Sequence, residues 1–319
     1  MLTRRDFFKN GLWPLGALCL PAAPLTGFDL PDTGPASHKS ESPLSIRLKS
    51  ITPQTPWTLI KQIKVRFRTF HCQGMVKIGS DFWVSSVEMT PVNGVIDRSS
   101  GAGHLFRISD SGDKLAEVSI GEPAIFHPSG IDFDGHHIWI AAAAYRPDSE
   151  AIIYRFDPDS QQLTEVFRWQ DHVGGVAANP DDHTLHGISW ASRKFYSWDL
   201  SPEGQLRKPY PSPAQLARLN PAFYIDYQDN QYLGGQEMLY TGLAVYKDPK
   251  DNKFALGGLE IVDLDKGLPV HQTPVPLWSP VTGRPMTTNP SCFELTRENK
   301  VRACFMPDDD DSTIYVYEV

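Results

Sequence analysis

Three observations predict an all-β chain folded as a five-bladed β-propeller, with six blades as the alternative. The first is a recurring stretch, Phe70-His71-Cys72-Gln73-Gly74-Met75. It returns as Phe126-His127-Pro128-Ser129-Gly130-Ile131 and Asp171-His172-Val173-Gly174-Gly175-Val176, and more loosely as Tyr240-Thr241-Gly242-Leu243 and Asn289-Pro290-Ser291-Cys292-Phe293. The second is spacing: Gly74, Gly130, Gly175, Gly242 and Cys292 stand 56, 45, 67 and 50 positions apart, intervals that each suit one four-stranded blade. The third is the alternation of short apolar runs with turn signals such as Asp134-Gly135 and Asp157-Pro158, and the lack of any long helical period.

Taken in order, the chain opens with Thr3-Arg4-Arg5-Asp6-Phe7-Phe8-Lys9, an apolar run from Gly11 to Leu20, and Pro21-Ala22-Ala23-Pro24. Residues 1–27 resemble a twin-arginine export signal. The resemblance implies a periplasmic or secreted protein, the twin-arginine export machinery as a partner, and no stable membrane insertion once the signal is removed. Residues 28–45 are rich in Pro, Ser, Asp and Gly and read as a flexible linker, leaving 46–319 as the propeller domain. Each anchor then begins an innermost strand. Third strands read Leu105 to Ile108, Ile153 to Phe156, Phe195 to Trp198, Leu259 to Val262 and Ile314 to Tyr317. The chain ends after a third strand, so strand material in Ile46 to Val65 would complete the last blade and remove two open sheet edges. The proline-rich stretch Gln205 to Glu237 reads as an elaborate loop, and supplies the sixth blade only in the alternative count.

Aligned on their anchors, His71, His127, His172, Leu239 and Asn289 occupy equivalent places at the mouth of one funnel. Three imidazoles so placed suit Zn²⁺ or another divalent first-row metal, although a histidine at a blade start also serves to tie neighbouring loops. Glu237 would be a further ligand or a base. The loops after the second strands add Glu88, Asp97 and Arg98, then Tyr145 and Arg146, then Trp190, Arg193 and Lys194, which makes a polar, aromatic-lined funnel suited to a small polar molecule. The acidic run Asp308 to Asp311 offers Ca²⁺ ligands, a weaker reading because it lacks the spacing of a calcium loop. Of the cysteines, Cys292 and Cys304 flank the turn Arg297 to Lys300, so a hairpin would set them opposite each other, as a disulfide or as buried thiols.

Over the whole mature domain, these blade starts together with Tyr232-Leu233-Gly234-Gly235 resemble an uncharacterised exported propeller family. Phe70-His71-Cys72-Gln73-Gly74 and Trp83 to Glu88 are similar to two segments of plant-type glutamine cyclotransferases. That likeness implies Gln73 in the pocket and Glu88 as the nearest proton-shuttling carboxylate, because Ser85 and Ser86 stand where that family carries its Glu.

Removing residues 1–27, which carry three basic residues and one acid, takes the formal charge from −8 to −10. Such a balance argues against nucleic acid as a partner. Two function classes follow. One is an exported hydrolase or cyclotransferase acting on a small polar molecule; the other is a non-catalytic binding or scaffolding propeller with structural channel histidines. In the first, Gln73, Glu88 and Glu237 would be catalytic, while Arg98, Tyr145, Arg146, Trp190, Arg193 and Asn289 would bind substrate.

Overall fold

The computed structural model describes residues 40–92 and 95–319; the expected export signal lies outside them, as does the Asp97 side chain. The described residues fall in the compact unit Lys39–Val319. The expected linker gives way earlier than its composition suggests, because Pro43–Lys49 forms helix α1. Ser42 accepts the Ser45 N–H at 3.2 Å and Pro43 stands in the first turn, two features that start a helix. Strand β1 (Thr58–Lys64) follows.

The remaining strands form antiparallel groups of four. The first is β2 (His71–Ile78), β3 (Asp81–Val92), β4 (Val95–Ile108) and β5 (Lys114–Ile120). The second is β6 (His127–Phe133), β7 (Ile138–Ala143), β8 (Ala151–Asp157) and β9 (Gln162–Trp169), and the third is β10 (Val173–Asn179), β11 (Thr184–Ser189), β12 (Lys194–Asp199) and the two-residue β13 (Arg218–Leu219). A parallel pair, Gly175 with Gly130, joins these two into an eight-stranded sheet. The fourth comprises β14 (Asp226–Gly234), β15 (Glu237–Lys247), β16 (Lys253–Asp263) and β17 (Leu268–Val275). Last come β18 (Ser291–Leu295), β19 (Val301–Phe305) and β20 (Thr313–Glu318), against which β1 lies antiparallel with Thr58 opposite Glu318. The architecture is all-β and propeller-like.

Burial grades outward within each group, as expected when one edge faces a centre and the other faces water. All of β6 is buried except Phe133, whereas β9 buries only Trp169 fully. Between groups the cores are aromatic: Trp83 meets Phe156 with centroids 5.1 Å apart, and Trp169 meets Trp198 edge-on at 5.3 Å.

The first strands β2, β6, β10, β14 and β18 meet at the centre, and glycine is required there. A Cβ on Gly175 would lie 2.1 Å from Asn230 Oδ1, and one on Gly130 would lie 2.8 Å from the same atom and 3.0 Å from Asp229 Oδ1. Asp229 and Asn230 of β14 thus fill the axis that the other strands leave open. At Gly74 the obstacle is main chain: a Cβ would stand 2.5 Å from Ile131 N and 2.8 Å from Gly130 Cα. Gly74→Ala is therefore expected to cost about 2–3 kcal/mol and several degrees of melting temperature, read by circular dichroism; an unchanged melt would refute the close approach.

The fourth group departs from the sequence alignment. Gly242 lies in the second strand, β15, opposite Gly258 of β16, and the first strand is β14. The stretch from Gln205 to Glu237 does not form a separate four-stranded group. It supplies a one-turn helix, α2 (Pro213–Leu216), then β13 as the outer strand of the third group and β14 as the inner strand of the fourth. Among the described residues no helix is long and apolar enough to cross a membrane.

Candidate functional site

A cavity of about 280 Å³ opens where the first strands begin. His71 and Gln73 enter it from β2, His127 from β6, and His172 and Gly174 from the start of β10. Tyr145, after β7, and Trp190, after β11, form aromatic walls, and Asp226 and Tyr227 of β14 are among the other lining residues. Backbone strain marks two of these entries. Phe70, just before His71, has φ 57°, and Ala191 and Ser192, after Trp190, have φ 51° and 54°, conformations rare outside glycine.

The imidazoles have different partners. His71 Nδ1 donates to Asp309 Oδ1 at 2.8 Å, and Arg284 Nη1 donates to the other oxygen of the same carboxylate at 2.6 Å. Burial pushes the Asp309 carboxyl up, but the hydrogen bond and charge of His71, joined by Arg284, outweigh it and hold the group below the usual carboxylate range. His172 Nδ1 donates to the Ala144 carbonyl at 3.0 Å, which fixes its tautomer. His127 stacks on Tyr145 with centroids 4.1 Å apart, and its buried Nδ1 has no partner. Burial lowers the pKa of both His127 and His172, with His172 adding to the shift at His127. Gln73 Nε2 is likewise buried without a partner. Over the mouth, the Arg98 guanidinium sits 4.7 Å from the Tyr145 ring centroid and 5.9 Å from that of Trp190.

Three histidines, Gln73, Tyr145, Trp190 and Arg98 thus come together as the sequence arrangement requires. His71 and His172 commit Nδ1 to Asp309 and to a carbonyl, bonds that metal-ligating histidines also make, and this leaves Nε2 as the remaining nitrogen of each ring. Among the described residues no three His, Cys, Asp or Glu side chains gather to hold a metal ion. The acids of the 308–311 run each have separate partners. Asp308 accepts from Ser279, Thr282 and Tyr315, Asp309 from His71 and Arg284, Asp310 from Arg68, and Asp311 pairs with Lys64.

Other expected site residues lie elsewhere. Glu237 stands at the far end of β14 from the cavity, held by Ser45 and Lys49 of α1, because the fourth group begins one strand earlier than its motif implied. Glu88 of β3 is outside the cavity lining, 3.8 Å from His104 Nε2. Arg193 braces the neighbouring loop through the Ala191 and Ala222 carbonyls and reaches Asp226 at 3.3 Å. Arg146 is exposed, its guanidinium 3.4 Å from the Asp148 carbonyl. Asn289 ties β18 to β2 by donating to the Cys72 carbonyl at 2.8 Å. Cys292 and Cys304 face each other across β18 and β19 as buried free thiols. Sequence reasoning missed Asp226 and Tyr227, and read Asp309 as a cation ligand rather than as the partner of His71.

Residues 35–319 match the Family of unknown function (DUF6454). The chain belongs to that family. No curated protein matches it. Among solved structures, hydrazine synthase of Kuenenia stuttgartiensis is similar at 11% identity and TM-score 0.37 over 76% of this chain and 57% of that one. The tail fibre of Staphylococcus aureus phage P68 is similar at 8% and 0.49, over 84% and 53%. The periplasmic gluconolactonase of Pseudomonas aeruginosa is similar at 13% and 0.37, over 79% and 85%. The chain therefore spans little more than half the length of the first two.

Proposed function

We propose that this family member is an exported five-bladed propeller enzyme that hydrolyses or cyclises a small polar molecule, with β1 completing the blade of β18, β19 and β20. Residues 1–27 serve as its twin-arginine signal, and the catalytic unit begins near α1. The observation that carries the reading is the His71–Asp309 pair on the cavity wall. Asp309 accepts the Nδ1–H hydrogen bond and fixes the ring and its tautomer, so Nε2 is the atom that accepts a proton from an attacking group and returns it to the leaving group. Arg284 keeps Asp309 anionic and stationary. Gln73 Nε2, a buried donor without a partner, is available to a substrate oxygen on which charge develops.

His71→Gln is expected to lower kcat by roughly 100-fold or more with little change in substrate affinity. Asp309→Asn should lower kcat as well, since an amide presents the ring with the wrong partner. The check is steady-state kinetics across a panel of small esters, amides and lactones. Turnover unaffected by His71→Gln would remove the catalytic reading. The alternative, a non-catalytic binding propeller, draws on His172 and Asn289, whose side chains bond to carbonyls of neighbouring strands or loops. It predicts saturable binding and no turnover anywhere in the panel.

A further inference from the structure

The hydrogen-bonding character of the cavity wall restricts what can occupy it. His172 is 3% exposed, and its Nδ1–H is committed to the Ala144 carbonyl, an oxygen that can only accept. Burial keeps the ring neutral near pH 7, so Nε2 carries a lone pair. That nitrogen lies 3.9 Å from where a Cβ on Gly174 would stand, and both residues line the cavity. The inner wall therefore presents an acceptor, which an ionised carboxylate cannot satisfy and a hydroxyl can. At the same wall Gln73, 7% exposed, holds an amide donor with no protein partner.

Two further features set shape and charge. Trp190 bounds the cavity beside the polar wall, its ring centroid 5.8 Å from that of Tyr145, whose own ring is covered by His127 and Arg98. The Arg98 guanidinium covers both rings from the solvent side and opposes a cationic ligand at the mouth. A volume of about 280 Å³ falls at the lower edge of the range for drug-sized ligands, enough for a single ring with its substituents.

We infer that the cavity binds a neutral, hydroxylated ring of monosaccharide size, one hydroxyl donating to His172 Nε2, an oxygen accepting from Gln73 Nε2, and the ring lying beside Trp190. The inference rests on the cavity being the functional site, as proposed above, but concerns what it recognises rather than whether it catalyses.

The test is isothermal titration of the mature chain with D-glucose, D-galactose, N-acetyl-D-glucosamine and myo-inositol, set against L-glutamine, L-glutamate and citrate. At least one of the hydroxylated rings is expected to bind, and the amino acids and citrate are not. His172→Phe keeps an aromatic ring against Trp190 and removes the acceptor, so it should weaken that binding about tenfold. Gly174→Ala places a methyl group in ordinary contact with His172 Nε2 without a backbone clash and should weaken it too, which covers the case of a misfolded His172→Phe. Binding of glutamate or citrate in preference to every ring would overturn the inference, as would ring binding that neither variant disturbs. Ring binding without turnover of any ester, amide or lactone would overturn the catalytic reading and leave this one standing. Turnover of an amino-acid derivative with no ring bound would do the reverse.

Discussion

Replacing Asp229 by alanine is expected to destabilise the domain by at least about 3 kcal/mol, while Asp229→Asn costs markedly less. Asp229 Oδ2 accepts the Met75 N–H at 3.1 Å and the Ser291 N–H at 2.9 Å, and Oδ1 accepts the Asn230 N–H at 2.9 Å. One carboxyl group at the centre thereby ties β2, β14 and β18. Alanine leaves three buried N–H groups without acceptors, each a loss of about 1–3 kcal/mol, whereas asparagine keeps one acceptor oxygen in place. Burial raises the Asp229 pKa against the pull of these N–H groups, with Asp132 adding to the rise, so a neutral side chain of the same shape is tolerated. Denaturant titration of the three proteins measures the order. Equal loss from alanine and asparagine would show that charge, and not the acceptor geometry, is what holds the centre.

At neutral pH, Asp132→Asn is expected to stabilise the chain. Asp132, near the opposite end of β6 from the cavity, is 5% exposed and accepts the Tyr232 N–H at 2.8 Å. Burial pushes its carboxyl up to about 8 from an ordinary value of 3.8, despite the Tyr232 and Phe133 N–H groups. Between those two values the folded chain holds a proton that the unfolded chain has released. Stability from this group is thus complete below pH 3.8 and falls by up to about 1.4 kcal/mol per unit as pH rises, levelling off above 8. The accumulated cost near pH 7 is up to about 4 kcal/mol. Asparagine keeps the acceptor for Tyr232 and does not ionise. Unfolding free energies measured from pH 4 to 9 should show the variant gaining on the wild type up to pH 8 and then running parallel. A gap that does not change with pH would mean that Asp132 is ionised in the folded chain.

Much of the strand order was legible because first strands facing a crowded axis require small residues. Gly74, Gly130 and Gly175 repeat for that steric reason, and the three histidines travel with them into one cavity. The fourth group broke the pattern for the complementary reason. Its first strand carries Asp229 and Asn230, the side chains that occupy the space its neighbours vacate, so no glycine marks it. The resemblance of Tyr240-Thr241-Gly242-Leu243 to a blade start then displaced the alignment by one strand and carried Glu237 into the expected site. The His71–Asp309 pair was illegible on other grounds. Its members stand 238 positions apart, and nothing local distinguishes Asp309 from its acidic neighbours until the fold assigns each a different partner.

The pairing of β1 with β20 has a kinetic meaning as well as a structural one. Thr58 meets Glu318, so this contact joins points about 260 residues apart. Closing a flexible loop of that length carries an entropic barrier of about 5 kcal/mol, and contacts so distant in sequence slow folding. A ribosome delivers β1 early and β20 last, so through nearly the whole of synthesis the first strand has an unpaired edge and no partner to protect it. The final sheet is assembled only once β20 is free to pair, so the aggregation-prone interval runs from the synthesis of β1 until β20 has docked against it.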